Sequence, residues 1–381
     1  MAQGSITKRL TKEGKARYLV RVEYPPDPVT GKRRQRAKTC ATRKEAEAEL
    51  ARWLTEIERG TAIEPSTLTV GALLDLWLTT VAAPKVKPTT LEDYAATIRT
   101  HLTPALGAVP VQRLTPAQVH AALTGLRDKT GARTLQLCYR RLSQALAWAE
   151  QMGLVARNVC AVVDVPRYAA AKPDVWTPAE AHRFLAAAQG SQWYAFFLLM
   201  LTTGLRRGEA LGVRWQDLDL DAATLTVRQI VTVLGNKPHI QEPKSAASRR
   251  TVRLTPETVH ALRDHRLRQV AHRLAAGPAY QDHDLVFATA GGGPIHPSNV
   301  TRAAHRLCRE AGLPPGRVHA LRHTHATWLI LSGVPVKVVS ARLGHAKTSI
   351  TLDTYAHLLP GADDAAVEAT RQALFASVNT A

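Results

Sequence analysis

Residues 343–355, LGHAKTSITLDTY, carry the main signal in this chain, because they place Tyr355 ten residues after His345. Two segments that contain arginine precede them, TGLRRGE at 203–209 and HALR at 319–322. A lone tyrosine has no diagnostic value. A tyrosine that follows two such arginines and two histidines has the groups needed to attack a phosphodiester, namely a nucleophile and cationic forks that fit phosphate oxygens.

Length and charge narrow the class of protein. A chain of 381 residues is long enough for two or three domains. Its net charge is +19, and residues 1–44 hold 13 Lys or Arg against 3 Asp or Glu, so ten of those charges lie there. Such a concentration favours a polyanionic partner, nucleic acid before membrane.

The cysteines and the apolar runs indicate a cytoplasmic protein. Cys40, Cys138, Cys160 and Cys308 lie far apart, which suggests neither a zinc site nor a disulfide framework and fits a reducing cytosol. No secretory signal opens the chain. The most apolar run, 193–201, has nine residues, where a membrane span needs about 20. We therefore expect a buried helix there and no membrane partner.

The first predicted domain, residues 1–62, reads as a small sheet with a helix behind it. Residues 18–24 alternate between apolar and other side chains, as a strand does, and a turn-forming stretch follows at 25–31. A further strand would place Arg34, Arg36 and Lys38 on one face. Thr42 and Glu45 make a capping box for a helix to about residue 59. We expect the helix to cover one face of the sheet and the cationic face to enter the DNA major groove.

Two more domains follow. Residues 67–162 carry helix signals throughout, including TPAQ at 115–118 and a long helix from about 132 to 152, which predicts a four-helix bundle. Residues 163–175 contain two prolines and no periodicity, so we interpret them as a linker. Residues 176–381 read as a mixed α+β domain with short strands near 224–231 and 251–254.

Elementary chemistry gives roles to the arginines. A phosphodiester under attack gains negative charge on its non-bridging oxygens, which planar guanidinium groups bind in fixed geometry. Arg206 follows a helix-ending TGL, and Glu209 could support it from the next turn. Arg322 lies three residues after His319, so one helix face would carry both. Arg207 is the competing candidate, and we interpret it as a surface cation.

The order Arg, Lys, His-x-x-Arg, His, Tyr resembles that of the tyrosine recombinase (phage integrase) family, and the likeness spans essentially the whole chain. The resemblance implies an arm-type DNA-binding domain with a three-stranded sheet plus helix, a helical core-binding domain and a mixed α+β catalytic domain. It also implies roles for six catalytic residues and one supporting residue. Arg206 and Arg322 would contact the scissile phosphate, Lys244 on a hairpin would protonate the leaving oxygen, and His319 and His345 would assist. Tyr355 would be the nucleophile, and Glu209 a supporting acid.

The same resemblance implies the function. A site-specific recombinase, most simply the integrase of a phage or integrative element, would cut and rejoin DNA through a 3′-phosphotyrosyl link and a Holliday junction. No cofactor or metal is expected. The partners would be double-stranded DNA at core and arm attachment sites, three further copies of the chain in a tetramer, and an excision factor or a host DNA-bending protein. Arg249 and Arg250 would contact the DNA backbone.

Several alternatives remain open. Ala320 stands where the family commonly has Asp, and His325 where it often has an aromatic residue. Lys237 is the fallback for Lys244, and His323 is expected to pack in the core. His319 and His323 have the spacing of a zinc-binding pair but lack the accompanying Glu. A chromosome-dimer resolvase, a type IB topoisomerase-like enzyme and a non-catalytic DNA-binding regulator are the competing functions. Residues 363–377 are expected to form a terminal helix that docks in cis or in trans.

Overall fold

The computed structural model describes most of the chain. The described residues are 4–11, 14–24, 34–58, 63, 65–165, 174–243, 246–314, 318–355, 367–368, 370–372 and 374. The chain divides into two compact units, Met1–Ala170 and Ala171–Ala381. The finer boundaries predicted at 62–67 and 163–175 stay predictions. The proposed terminal helix lies largely outside the described residues, and the described positions in it are helical.

The amino-terminal sheet has the predicted three strands. They are β1 (Gly4–Leu10), β2 (Ala16–Tyr24) and β3 (Arg34–Cys40), paired antiparallel in the order β1-β2-β3, and α1 (Arg43–Glu58) follows. Val20, Val22, Ala46 and Trp53 form the buried contact between the sheet and the helix. The capping box is present, since Glu45 N donates to Thr42 and the Glu45 carboxylate accepts from Thr42 N.

Arg36 and Lys38 do not lie on the face of the sheet opposite α1, where they were predicted to lie. Lys38 pairs with Val20 and Arg36 with Val22, so both cations lie on the face that α1 covers. Lys38 forms an ion pair with Glu49 at 3.1 Å, and Arg36 pairs with Glu56 at 3.1 Å. The Arg34 side chain lies outside the described residues. Opposed residues of an antiparallel pair point to the same side of a sheet, and the helix takes the side that carries the two valines.

The opposite face of the sheet carries a different set of cations. Residue alternation places Arg9, Arg17 and Arg21 on that face, and Arg9 is paired with Arg17. Arg9 and Arg17 are exposed, and Arg21 is half-buried. The sheet therefore has a basic face opposite α1, made by β1 and β2 rather than by β3.

The rest of the first unit is the predicted helical bundle. Its helices are α2 (Val70–Trp77), α3 (Pro88–Thr97), α4 (Thr103–Leu106), α5 (Pro116–Arg127) and α6 (Ala132–Gln151). Thr115 and Gln118 form the predicted capping box of α5. Helix α3 begins at Pro88 after Lys87, without a side-chain cap. The apolar side of α6, with Leu135, Cys138, Leu142 and Leu146, lies in the core of the bundle.

The second unit is mixed α+β. Its helices are α7 (Pro178–Ala188), α8 (Tyr194–Thr203), α9 (Arg207–Leu211), α10 (Pro256–Ala276), α11 (Pro297–Glu310), α12 (His319–Leu331), α13 (Val336–Leu343) and α14 (Thr348–Tyr355). Its strands are β4 (Leu218–Asp219), β5 (Thr224–Thr226), β6 (Ile230–Leu234), β7 (Lys237–Gln241) and β8 (Thr251–Arg253). They pair as a three-stranded sheet β4-β5-β8 and a hairpin β6-β7.

Helix α8 is the centre of this unit. Eight of its ten residues are buried, including Phe196, Phe197, Leu199 and Met200. A helix that is apolar on all sides is stable only when it is surrounded by protein. The apolar run at 193–201 is therefore a core helix, as expected, and its end is fixed relative to the helices around it.

The described ranges contain neither a membrane-spanning helix nor a cluster of metal-binding side chains. No helix there combines the length and apolar character needed to cross a bilayer. No group of three or more His, Cys, Asp or Glu side chains in those ranges is arranged to hold a metal ion. The four cysteines are buried and form no disulfide with one another.

Candidate active site

The site begins at a tight turn between α8 and α9. Helix α8 ends at Gly204, whose φ of +68° is in the left-handed region. A Cβ on Gly204 would lie 2.7 Å from both His325 and Leu343, so the turn needs a residue without a side chain. Arg206 comes two residues later and caps α9. This turn directs the Arg206 side chain toward the carboxyl end of α13.

Glu209 holds two arginines at once. Its carboxylate accepts from Arg206 N and Arg206 Nη1, both at 2.8 Å, and from Arg250 Nη1 and Nη2 at 3.2 and 3.0 Å. Burial raises the pKa of Glu209, but the hydrogen bonds and charges of Arg250 and Arg206 outweigh it and leave the pKa lowered. Glu209 is therefore an anion that two cations share, and its supporting role in the reaction stays a prediction.

Arg322 is held by the carboxyl ends of two helices. Its Nη1 donates to the Gly204 carbonyl and its Nη2 to the Leu343 carbonyl, both at 2.7 Å. Arg206 Nη2 donates to the next carbonyl, that of Gly344, at 3.3 Å. Adjacent carbonyls thus bring the two predicted clamp arginines together. Burial and the charge of Arg206 lower the pKa of Arg322 to about 9, which leaves it charged at neutral pH.

His319 and His345 lie beside these arginines. His319 opens α12 with an exposed ring, whereas His345 is half-buried after the left-handed Gly344 and shares a hydrogen bond of 2.8 Å with Thr351. Partial burial, then the charges of His323 and Arg322, lower the pKa of His319 to about 4. Burial, then Arg322 and Arg206, likewise lower that of His345 to about 4. Both rings are neutral at pH 7, and each can donate one N–H hydrogen bond to an anion.

Tyr355 ends α14, with its ring buried among residues of α12 and α13, and it is 2% exposed. Its hydroxyl lies 2.6 Å from His323 Nδ1. Burial raises the pKa of Tyr355 to about 12, while the charge of Arg322 acts in the opposite direction. The expectation that His323 only packs in the core is wrong, because its half-buried ring bonds to the tyrosine hydroxyl.

Other predicted site residues lie elsewhere or outside the described part. Lys244 is outside the described residues, so its placement stays a prediction. Lys237, its fallback, is exposed at the start of β7. Arg249 pairs with Glu242 at 2.6 Å on the surface. Arg250 is buried with Glu209 instead of exposed, so the structure gives it a different partner from the predicted DNA backbone.

Two contacts were missed by sequence reasoning. His323 is four residues after His319, a spacing that places both rings on one helix face, and their centroids are 4.7 Å apart. That spacing was the available signal, although it was considered only for metal. Arg342 bonds to His325 at 3.1 Å and to the Thr202 carbonyl at 3.0 Å, which joins α13 to α12 and α8. Nothing in the sequence indicates this second contact.

The assembled site is an anion-binding centre beside a phenol. Arg206, Arg250 and Arg322 carry three positive charges, and Glu209 balances one of them. A bound phosphodiester would balance another and accept hydrogen bonds from fixed donors. The geometry suits phosphoryl transfer to a tyrosine.

Comparison with known proteins points to the same chemistry. The Phage integrase family matches residues 175–361, the phage integrase N-terminal SAM-like domain residues 69–127, and the Arm DNA-binding domain residues 7–57. A "Tyrosine recombinase XerC-like" protein of Caldanaerobacter subterraneus subsp. tengcongensis is 31% identical over 377 residues, which cover 94% of this chain and 96% of the relative.

Solved structures share the fold. The Tn1549 transposon integrase in complex with a circular intermediate DNA matches with a TM-score of 0.68 and 22% identity, over 80% of this chain and 99% of that one. A lambda integrase tetramer bound to a Holliday junction matches with a TM-score of 0.58 and 20% identity, over 91% of this chain and 94% of that one.

The chain belongs to the phage integrase family of tyrosine recombinases. It is a site-specific recombinase of the phage and mobile-element type.

Proposed function

We propose that this protein cuts and rejoins DNA by attack of Tyr355 on a scissile phosphate held by Arg206 and Arg322. The observation that carries the proposal is the pair of guanidinium groups on the adjacent carbonyls of Leu343 and Gly344. Two such forks can bind the non-bridging oxygens of one phosphate. The tyrosine of the same unit lies close enough for the charge of Arg322 to act on it.

The other residues complete the reaction. His319 and His345 hydrogen-bond the phosphate, and Glu209 holds Arg206 in place. Lys244 protonates the leaving 5′-oxygen. The product is a 3′-phosphotyrosyl link with a free 5′-hydroxyl, and attack by a 5′-hydroxyl from the partner duplex reseals the strand. Because the covalent link conserves the energy of the broken bond, the reaction needs no nucleotide triphosphate.

The assembly follows from strand exchange. Two duplexes exchange strands at two positions each, so four copies act together on core sites and pass through a Holliday junction. The lambda integrase tetramer supports this arrangement by its shared fold. An excision factor or a host DNA-bending protein would set the direction. The buried cysteines, which form no disulfide with one another, and the DNA substrate support a cytoplasmic location.

The amino-terminal sheet supplies the contact with arm sites. Its face opposite α1 carries Arg9, Arg17 and Arg21, whereas Arg36 and Lys38 form ion pairs with glutamates of α1. A sheet with one free basic face can lie in the major groove. We therefore place the arm contact on β1 and β2.

A nicked attachment-site substrate tests the proposal. Cleavage would release a short 5′-hydroxyl fragment and trap the protein on DNA, and the adduct should disappear in Tyr355→Phe. Tyr194→Phe, in the same unit, is the matched control and should form the adduct normally. An adduct that persists in Tyr355→Phe would exclude this nucleophile. No adduct from the unchanged protein, with DNA binding retained, would favour the DNA-binding regulator.

A further inference from the structure

We propose that His323 is the base that receives the phenolic proton of Tyr355 during strand cleavage and returns it during religation. The inference rests on the proposed function, since it concerns the same attack on phosphorus. The resemblance to known recombinases gave His319 an assisting role in the reaction and gave none to His323. The geometry points instead to the residue one helical turn further along α12.

His323 is in direct contact with the reacting oxygen of Tyr355. His323 Nδ1 and Tyr355 Oη are 2.6 Å apart, within the range that proton transfer requires. The Tyr355 ring is buried in a cluster with Ala326, Ile330 and Val339, which fixes its direction. The hydroxyl is therefore held against one imidazole nitrogen by packing on both helices.

The protonation states leave His323 able to accept a proton from Tyr355. Burial, followed by the charge of Arg322, lowers the pKa of His323, and burial raises that of Tyr355 to about 12. Both groups are neutral at pH 7. Two neutral tautomers of His323 fit this contact, and the proposed role requires the one in which the phenol donates and Nδ1 accepts, with the imidazole proton on Nε2. This is the tautomer that a base at Nδ1 needs.

Substrate binding would raise the pKa of His323 and so make it a stronger base. Arg322 disfavours protonated His323 because it is a nearby positive charge. A phosphodiester on Arg206 and Arg322 would neutralise part of that charge and bring the pKa of His323 upward. His323 would therefore become a stronger base when a phosphate is in place, and it would remain a weak one in the free protein.

The second histidine of the pair faces the substrate. His319 has an exposed ring and stands perpendicular to the His323 ring. A ring at the mouth of the site suits a hydrogen bond to a phosphate oxygen. The two histidines of α12 thus divide two tasks, with His319 on the phosphate and His323 on the nucleophile.

The phenolic proton moves to His323 Nδ1 while the Oη–P bond forms and the P–O5′ bond breaks. The electron pair of the broken bond stays on O5′, which takes a proton from the leaving-group acid. In religation a 5′-hydroxyl attacks phosphorus and loses its proton to the former acid. The Oη–P bond then breaks, and His323 gives its proton back to Oη.

The test is His323→Asn, which keeps a hydrogen-bond acceptor near the Nδ1 position but cannot take up a proton. Single-turnover cleavage of the nicked substrate should slow by about 10²- to 10⁴-fold. A substrate whose leaving 5′-oxygen is replaced by sulfur needs no acid, so it should not restore the rate. His260→Asn, an exposed histidine on α10, is the control and should cleave normally.

A chemical rescue separates a base from a structural group. His323→Ala should regain cleavage when imidazole is added, in proportion to the concentration of its free base. Gel shift and thermal melting show whether each variant is folded. If neither folds, 3,5-difluorotyrosine at position 355 of the unchanged chain gives the answer. Its more acidic phenol should make cleavage less dependent on pH below neutrality.

The outcomes are distinct. Cleavage by His323→Asn at the unchanged rate, or its recovery with the sulfur substrate, would overturn the role of His323 alone. Failure of imidazole to act on a folded His323→Ala, or an unaltered pH profile with difluorotyrosine, would do the same. Absence of a Tyr355-linked adduct from the unchanged protein would overturn the proposed function as well.

Discussion

Arg250 donates to both carboxylate oxygens of Glu209, and both side chains are nearly inaccessible to water, at 8% and 2% exposure. Arg250 therefore supports Arg206 through a shared carboxylate. Gly344 makes room for it, because a Cβ there would lie 2.7 Å from Arg250 Nη1. The support of the first clamp arginine thus comes from the segment just before β8, 44 residues after Arg206 in the chain.

Arg250→Ala should lower both stability and cleavage. Removing one partner of a buried ion pair costs about 3–5 kcal/mol, because the other charge stays buried without compensation. Denaturant unfolding measures this loss, and single-turnover cleavage measures the effect on Arg206. Arg249→Ala is the control, since its pair with Glu242 is exposed and is worth about 0–1 kcal/mol. Equal losses in the two variants would contradict the supporting role.

Arg322→Lys should retain DNA binding but reduce cleavage by about 10²- to 10³-fold, the usual effect of losing one fixed donor to a transition-state oxyanion. A lysine carries an ammonium group in place of the planar guanidinium. It therefore cannot bond to the Gly204 and Leu343 carbonyls and to a phosphate at the same time. Gel shifts and single-turnover rates measure the two effects separately. Arg207→Lys is the matched control, because Arg207 is exposed and bonds to Thr301. Binding and cleavage that fall together in Arg322→Lys would argue against a clamp.

Gly204→Ala should destabilise the second unit more than Gly190→Ala does. Both glycines have positive φ, +68° and +76°, so each variant bears the cost of a left-handed backbone, about 1–2 kcal/mol. Only at Gly204 does a new Cβ meet neighbours at 2.7 Å, whereas it meets nothing within 4 Å at Gly190. Melting temperatures measure the difference. Equal shifts would show that the α8 turn has more room than the structure gives it.

Acid should destabilise the protein partly through His325. Burial, then Arg342, lowers its pKa from 6.5 to about 3. Below pH 6.5 the unfolded chain therefore binds a proton that the folded chain does not. The contribution of His325 to stability is fully present above that pH. Below it, the free energy of unfolding falls by up to about 1.4 kcal/mol for each pH unit. His325→Phe should reduce the loss of melting temperature between about pH 7.5 and about pH 5. An unchanged loss would assign the effect to other groups.

Arm-site binding should depend on β2 rather than on β3. Arg17→Ala should weaken binding to arm DNA and flatten its salt dependence, because each phosphate contact releases counterions. Lys38→Ala is the control on the helix-covered face, where it should mainly remove an ion pair with Glu49. Fluorescence anisotropy at several salt concentrations measures both. A larger loss in Lys38→Ala would restore the original assignment of the basic face.

Local sequence signals predicted much of this fold. The capping boxes at Thr42 and Thr115 are followed by helices at the expected residues, and the apolar run at 193–201 is a core helix. Such signals depend on a few neighbouring residues, so they can be read directly from the chain. Arg206 and Arg322 were singled out from residue type, order and the family resemblance; the structure brings them to adjacent carbonyls, and their role as clamps stays a prediction.

The errors concern long-range choices. The face of the sheet that α1 covers depends on strand pairing, and the pattern of β3 alone could not decide it. His323 was assigned to the core because its partner lies 32 residues away on another helix. Arg250 was assigned to DNA because the sequence gives no sign of a buried carboxylate 41 residues upstream.

Arg322 bonds to backbone atoms at Gly204 and Leu343, positions that are 139 residues apart in the chain. Evolution can therefore exchange the amino-terminal modules between relatives more freely than it can divide the segment from 176 to 355. A hybrid gene joined within residues 166–173 would inherit every described partner of the cluster from one parent. A junction between 210 and 320 would combine partners that never evolved together.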